Sequence, residues 1–347
     1  LLEEAGASTL GGIFYAVGRS ELREFQDAAL RSRLKIPLFF AYDVIHGHRT
    51  LFPIGLGLAS TWDTDAIALS GRIAAKEASA DGLDMVFSPM VDIARDPRWG
   101  RASEGWGEDT YLSARYTESM VNALQGATLD AAGNVMASAK HFALYGAAEG
   151  GRDYNTVDMS LPRMYQDYLP PYRAAVKAGV GAMMLTYVAI NGIPATSNTW
   201  LIRDLLRQQW RFKGLVITDF NAVADLVSHG VARDGREAAM LAIKAGVGMS
   251  MSDTYFRDEL PGLLQSGAVS QKDIDDAVRE VLGAKYDLGL FADPYLRIGT
   301  AKDDPADINA EHRLHRAQVR DVARKSLVLL KNDRAVLPLD KTAVVAV

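Results

Sequence analysis

The chain contains no cysteine, which excludes disulfides, Cys-ligated zinc and a thiol nucleophile and leaves the redox compartment open. No stretch approaches the roughly 18 to 20 uninterrupted apolar residues that span a bilayer, so membrane insertion is not expected. Basic excess is missing too: 38 Lys and Arg face 43 Asp and Glu, for a formal net charge of -5 and a pI near 5.7. With the cations scattered rather than run together, nucleic acid and anionic membrane are not expected partners. The first apolar run is followed by no Gly-x-Gly-x-x-Gly turn, the signature of an open dinucleotide-binding sheet. No cofactor and no metal is expected.

What is present is 347 residues, 48% hydrophobic and 23% charged, the size of one large α/β domain or of one domain plus a fragment of another. Short apolar runs alternate with amphipathic segments as repeated βα units. Strands are expected at 11–17, 37–42, 84–91, 135–142, 181–187, 214–219 and 247–251, and helices near 64–80, 109–125, 163–178, 199–209, 234–245 and 270–287. Ser270 with Asp273 forms a capping-box pattern, and Gly246 stands where a helix-ending glycine belongs.

Seven strands with intervening helices point to a TIM-like (β/α)8 barrel. The eighth strand is not visible, and a helix-like Leu1 to Ala7 precedes the first, so the missing or irregular βα element is expected upstream of Leu1. Beyond Pro294 a helix is expected over 309–331, and Ala343-Val344-Val345-Ala346-Val347 reads as a strand opening a second, truncated α/β domain or adding to the first sheet. The expected division is 1–300 as the catalytic barrel, 301–342 as linker and connecting helix, and 343–347 as the first strand of the second domain.

Barrel enzymes carry their chemistry where strands run out into βα loops, and the polar census there is rich: Asp43, Asp92, Lys140, His141, Tyr187 and Asp219. Asp219 ends the run Leu215-Val216-Ile217-Thr218, where a carboxylate costs free energy unless something uses or satisfies it. Such a set would hold a polyhydroxylated ligand while one carboxylate reacts. Glycoside cleavage asks for an anionic carboxylate under the anomeric carbon and an acid at the leaving oxygen. The competing reading, that each carboxylate caps the following helix, serves single residues better than the whole set. The loop from Arg95 to Asp109 mixes arginines, carboxylates, glycines and two tryptophans; its Arg95, Asp96, Arg98 and Glu108 are expected to pair as scaffold.

Arg95-Asp96-Pro97-Arg98-Trp99-Gly100-Arg101 with Glu104 and Glu108-Asp109, then Lys140-His141-Phe142, then Gly214-Leu215-Val216-Ile217-Thr218-Asp219 resembles glycoside hydrolase family 3, in consistent order from about residue 11 to 347. Phe39-Phe40-Ala41-Tyr42-Asp43-Val44-Ile45-His46-Gly47, Glu149-Gly150-Gly151, Tyr154-Asn155-Thr156-Val157-Asp158-Met159 and Met249-Ser250-Met251-Ser252-Asp253 are similar to its bacterial periplasmic β-glucosidase branch. The resemblance implies a retaining exo-β-glucosidase with Asp219 as nucleophile. Asp43 matches the carboxylate that grips the 4- and 6-hydroxyls, Arg101, Lys140 and His141 match ligands of the same sugar, and Tyr187 matches the tyrosine beside the nucleophile. Glu104 is expected to orient Arg101 and Lys140, and Asp92 to support the site. Phe220 stands where relatives often carry Trp or His.

Asp rather than Glu at position 43 favours glucose over xylose within that resemblance, and the absence of His from 143–159 disfavours the N-acetylglucosaminidase branch. The family's general acid/base is expected from the second domain, with Glu149 a weaker candidate than its reading as an ordinary loop carboxylate. Asn221 replaces a usual Gly, a change the backbone tolerates because Asn accepts left-handed geometry. The expected partners are a small β-glucoside or oligosaccharide and the second domain; the expected compartment is periplasmic or secreted by resemblance, otherwise cytoplasmic. Three other readings stay open: a β-xylosidase or other specificity of the family, a non-hydrolytic carbohydrate-binding module, and a lyase or aldolase using Lys140 as a Schiff base.

Overall fold

The apolar, β-branched and aromatic runs become strands: β1 (Gly12–Phe14), β2 (Phe39–Tyr42), β3 (Met85–Val86), β4 (Met136–Phe142), β5 (Ala182–Leu185), β6 (Ala189–Ile190), β7 (Ile193–Pro194), β8 (Leu215–Phe220) and β9 (Met249–Met251). The computed structural model describes residues 1–299 and 305–344. Seven strands form one all-parallel sheet in the order β1-β2-β3-β4-β5-β8-β9, and β6 and β7 make a separate antiparallel ribbon. The sheet curls until β1 and β9 face one another across a cavity of about 640 Å³, which Gly12, Ile13, Phe14, Met249 and Ser250 line together. This is the expected TIM-like architecture with its seven expected strands. Strand β3 is shorter than 84–91 because Pro89 has no N–H to give a ladder; a single parallel bridge, Met90 to Lys140, carries the pairing on.

Alternation along the strands builds two cores. Phe39 and Ala41 of β2 point inward with Met85, Phe87, Met136, Met184, Leu215 and Ile217, filling the barrel axis, while Phe40, Val86, Ala137, Met183 and Val216 face the surrounding helices. Helix Gln271–Asp287 supplies Ala284, and the turn after it Leu288 and Leu290, to the barrel interior. Beneath the sheet, Asp84 accepts from Phe40 N at 2.9 Å and from Arg297 Nη1 at 3.0 Å. Burial pushes its carboxyl up to about 6 and draws the neighbouring Lys285 down to about 8. These perturbed groups lie at the N-terminal end of β3, where barrel residues serve stability.

Helices Thr64–Ala80, Thr110–Gln125, Gly235–Ala245 and Gln271–Asp287 lie where the apolar periodicity puts them. Three are capped by Asp63, Asp109 and Asp234, and the fourth carries the Ser270–Asp273 capping box. The expected helix at 163–178 is broken into Leu161–Arg163, a π-type turn Met164–Tyr168 and Pro170–Lys177, because the two prolines restart it. Trp200–Gln209 is wound throughout as a π-helix.

Among the described residues, two helices longer than ten residues were not anticipated. Arg19–Arg31 buries Leu22, Phe25, Ala28 and Ala29, a helical spacing obscured by Arg19, Glu21, Arg23 and Glu24. Tyr255–Gln265 runs through Pro261, a residue that argues against a helix interior. Helix Pro305–Lys325 stops short of the expected 331; Leu327 and Leu330, 79% and 91% exposed, find no surface here to support another turn. Within the expected strand at 343–347, Ala343 and Val344 carry no regular structure and the rest lies outside the described residues. None of the described helices is long and apolar enough to cross a membrane.

Candidate active site

Strand ends at the C-terminal rim bring most of the predicted residues together. Lys140 and His141 are neighbours, and a regular strand would point them to opposite faces. The register of β4 against β5 shifts between Ala139 and Phe142, an irregularity of the kind that re-aims side chains. As a result both reach one mouth: Lys140 Nζ pairs with Asp43 Oδ1, and His141 Nε2 stands 3.4 Å from Asp219 Oδ2. A second register shift lies in β8 against β9 between Ile217 and Phe220, flanking Asp219.

The two oxygens of the Asp219 carboxylate are held unequally. Its Oδ1 accepts from the next backbone N–H, that of Phe220, at 2.7 Å, while its Oδ2 is buried and receives no hydrogen bond among the described residues. A buried, unsatisfied carboxylate oxygen is unfavourable in a finished structure, so its presence at the mouth marks a group kept for something else. The Tyr187 hydroxyl donates to Phe220 O at 2.9 Å, and burial, then the charge of Asp219, pushes its pKa well above the ordinary value.

Asp92 anchors the imidazole from behind. Its Oδ2 takes the His141 N–H at 2.9 Å and faces Nδ1 at 2.8 Å, and its Oδ1 takes the Tyr172 hydroxyl at 2.5 Å. Nδ1 is thereby assigned as the donor nitrogen, and Nε2 is turned toward Asp219. On the other side of the mouth burial alone would raise the Asp43 carboxyl, but the Lys140 ammonium and hydrogen bonds from Lys140 and Tyr15 hold it below its usual range.

Arg101 is gripped in a bidentate pair with Glu104, at 2.6 and 2.9 Å, and its guanidinium lies 5.4 Å from the Tyr145 ring. That ring in turn meets His141 at 5.0 Å and Tyr187 at 6.0 Å. Glu104 therefore orients Arg101 but not Lys140, whose ammonium is taken by Asp43; the distance along the chain hid that exchange. The two loop tryptophans are scaffold: Trp99 is 1% exposed with Nε1 donating to Asp153, and Trp106 is 6% exposed against Tyr116. Arg98 pairs with Asp96 and Arg95 with Asp167, so Arg95 leaves the loop for its partner. Glu149 lies in a surface turn and accepts from Thr156 Oγ1 at 3.2 Å. Asn221 adopts a left-handed φ of 57°. Phe220 is half exposed at the rim.

Sequence reasoning passed over Tyr15, Tyr145, Tyr154 and Tyr172. A visible signal existed for Tyr154: Asn191-Gly192 is the two-residue turn of a type I′ hairpin, with φ of 50° and 84°, and it forms the β6–β7 ribbon. Val157 bridges to Ile190 of that ribbon, and the Asn191 side chain exchanges two hydrogen bonds with the Met159 backbone. The loop is thus pinned with Tyr154 edge-on to Tyr187 at 5.0 Å. These two rings, with Asp225, Ser228 and His229, line a cavity of about 390 Å³ beside the nucleophile candidate. Burial and Asp219 raise the Asp225 carboxyl against the opposing effect of His229.

The family described as "Glycosyl hydrolase family 3 N terminal domain" matches residues 6–284. The chain is 55% identical over 339 residues to a periplasmic β-glucosidase of Salmonella typhimurium, covering 97% of this chain and 44% of that protein. It is 36% identical to a β-xylosidase of Formosa agariphila, over 91% of this chain and 46% of the relative. A solved β-glucosidase of Listeria innocua in complex with isofagomine superposes with a TM-score of 0.92 at 42% identity, covering 95% of this chain and 46% of that one. The chain spans about half the length of the relatives it matches.

Proposed function

The chain belongs to glycosyl hydrolase family 3, and on that footing we propose that it is the glycone-binding barrel of a retaining exo-β-glucosidase with Asp219 as nucleophile. The observation that carries this reading is the Oδ2 of Asp219 at the mouth of the barrel, buried, 3.4 Å from His141 Nε2 and without a hydrogen bond among the described residues. A carboxylate oxygen that no close hydrogen bond ties down, with its neighbour fixed by a backbone N–H, is ready to attack the anomeric carbon and to stabilise positive charge there.

In that reaction Asp219 bonds to C1 as the glycosidic C–O bond breaks, and the departing oxygen takes a proton from a general acid. Water then attacks C1 while giving its proton back to that same group, now acting as base; the ester bond to Asp219 breaks and the sugar leaves with its configuration retained. Asp43, Lys140, His141 and Arg101 hold the ring hydroxyls, and Tyr187 walls the nucleophile. We assign the acid to a second domain, in keeping with relatives about twice the length of this chain. The residues favour a periplasmic glucosidase by their likeness to the Salmonella protein; a xyloside preference is the second reading, carried by the likeness to the Formosa enzyme.

The test is covalent trapping. A 2-deoxy-2-fluoro β-glucoside with an activated leaving group needs no proton to depart, so the chain should gain one sugar, mapped by mass spectrometry to Asp219. Asp219→Ala should lose the adduct and keep glucose affinity within about tenfold. Normal labelling in that variant would sink the assignment, and glucose binding without any adduct would turn the reading to a carbohydrate-binding module.

A further inference from the structure

Tyr15 stands just past the end of β1, within the run 11–17 that reads as one strand in the sequence. The strand stops at Phe14, and Tyr15 turns out of it with a left-handed φ of 63°, a conformation that side-chain-bearing residues adopt at a cost. Its N–H still donates to Ala41 O at 3.0 Å, so the backbone remains tied to β2 while the ring swings over the mouth. There the ring packs edge-on against Tyr42 at 5.5 Å and Phe87 at 6.4 Å.

The hydroxyl at the end of this ring donates to Asp43 Oδ2 at 2.9 Å, while Lys140 Nζ takes Oδ1. Each oxygen of Asp43 therefore carries one protein donor and keeps about one lone-pair direction for a ligand. A carboxylate held at one oxygen turns easily about its last torsion, whose profile is broad; held at both, its plane is fixed. Burial first, and then the charges of Asp43 and Asp219, push the Tyr15 hydroxyl above its ordinary value of 10, so it stays a donor throughout the working pH range.

We propose that Tyr15 is a positioning and specificity-determining residue of the glycone pocket. It fixes the Asp43 carboxylate so that its two remaining lone pairs meet two adjacent hydroxyls, those on C4 and on the exocyclic C6 of a hexose. The inference rests on the reading of Asp43 as a glycone ligand. A pentose lacking the C6 hydroxymethyl uses only one of the two oriented positions and gains little from the second restraint. Tyr15 thus selects for hexosides over pentosides without touching the reacting carbon.

The test compares the unsubstituted full chain with Tyr15→Phe, which keeps the ring and its packing and removes only the hydroxyl. Glucose and xylose dissociation constants are measured by calorimetry, and labelling by fluoro-glucosyl and fluoro-xylosyl probes with one leaving group is resolved into Ki and kinact. The expected result is a rise of about 5- to 10-fold in glucose Kd and glucosyl Ki, the scale of one ordinary hydrogen bond. Over the same comparison kinact and the xylose constants should stay within about twofold. Tyr15→Phe should add nothing to the loss caused by Asp43→Asn, because the two residues act as one unit. Equal losses for glucose and xylose, an unchanged glucose Kd, a loss confined to kinact, or full additivity with Asp43→Asn would each overturn the inference. If the unsubstituted chain binds glucose but takes no label, the nucleophile reading fails alone, and the sugar dissociation constants still decide the role of Tyr15.

Discussion

Asp219 Oδ2 lies 3.4 Å from His141 Nε2 and accepts no hydrogen bond among the described residues, while the same imidazole is tied at Nδ1 to Asp92, 2.8 Å away. The imidazole is thus fixed from behind and the carboxylate left open in front. Preorganisation of this kind lets a reacting carboxylate meet its substrate without first breaking bonds of its own.

Asp92→Asn should slow glycosylation rather than abolish sugar binding. An amide offers one acceptor oxygen where the carboxylate offers two, so either Tyr172 or His141 loses its partner. Displacement of the ring by a fraction of an ångström should lower the labelling rate by up to about 10²-fold, with glucose affinity changing much less. Rapid-quench labelling followed by mass spectrometry checks this.

Lys140→Met should make glucose binding acid-sensitive. In the native chain Asp43 is held below 3.8, so it remains ionised above that value and its contribution is lost only as pH falls through the lower folded pKa. Without the ammonium, burial dominates and the pKa rises. Glucose affinity, already reduced, should then fall further as the pH drops toward 3.8 from above, whereas the native chain holds its affinity over that range. Calorimetric titrations at a series of pH values read the difference.

Glu77→Gln should loosen helix Pro305–Lys325. Glu77 Oε1 faces His315 Nδ1 at 2.8 Å and accepts from Thr50 Oγ1 at 2.5 Å, and its Oε2 takes the N–H groups of Arg49 and Thr50. Burial opposes the charge, but Thr50, His315 and Arg49 hold the carboxyl below 4.5. Its stabilisation is therefore present above 4.5 and lost as pH falls through the depressed folded value. Urea unfolding should show a loss of about 1–3 kcal/mol at neutral pH that narrows in acid.

Gly55→Ala should weaken sugar binding from outside the pocket. A Cβ at Gly55 would lie 2.4 Å from both Glu104 O and Gly105 O, so the loop must move, and with it the Glu104 carboxylate that orients Arg101. A cost of about 1–3 kcal/mol in stability is expected for such overpacking, together with a several-fold loss of glucose affinity. Thermal unfolding and titration of the same sample separate the two effects.

Much of this candidate site is legible in the sequence. Asp43, Lys140, His141, Tyr187 and Asp219 each follow an apolar run, and period and run length are local properties of the chain. Their pairings were not legible: Lys140 meets Asp43 from 97 residues away, and Tyr172 meets Asp92 from 80. Tyr15 was hidden because a left-handed residue at a strand end looks like one more strand residue. Trp99 and Trp106 are buried, a placement the loop's composition left open, since an indole in a polar loop does not reveal which side of the loop faces the core.

By itself the sequence determined the parallel α/β architecture, the order of seven strands and the polar residues that end them, because apolar periodicity acts over a few residues. Tertiary structure alone decided that Asp43 is held by Lys140 and Tyr15, that Glu104 grips Arg101, and that one oxygen of Asp219 accepts no hydrogen bond among the described residues. Those outcomes depend on how far the sheet curls and where β4 and β8 slip in register, which sum the packing of the whole chain rather than any segment of it.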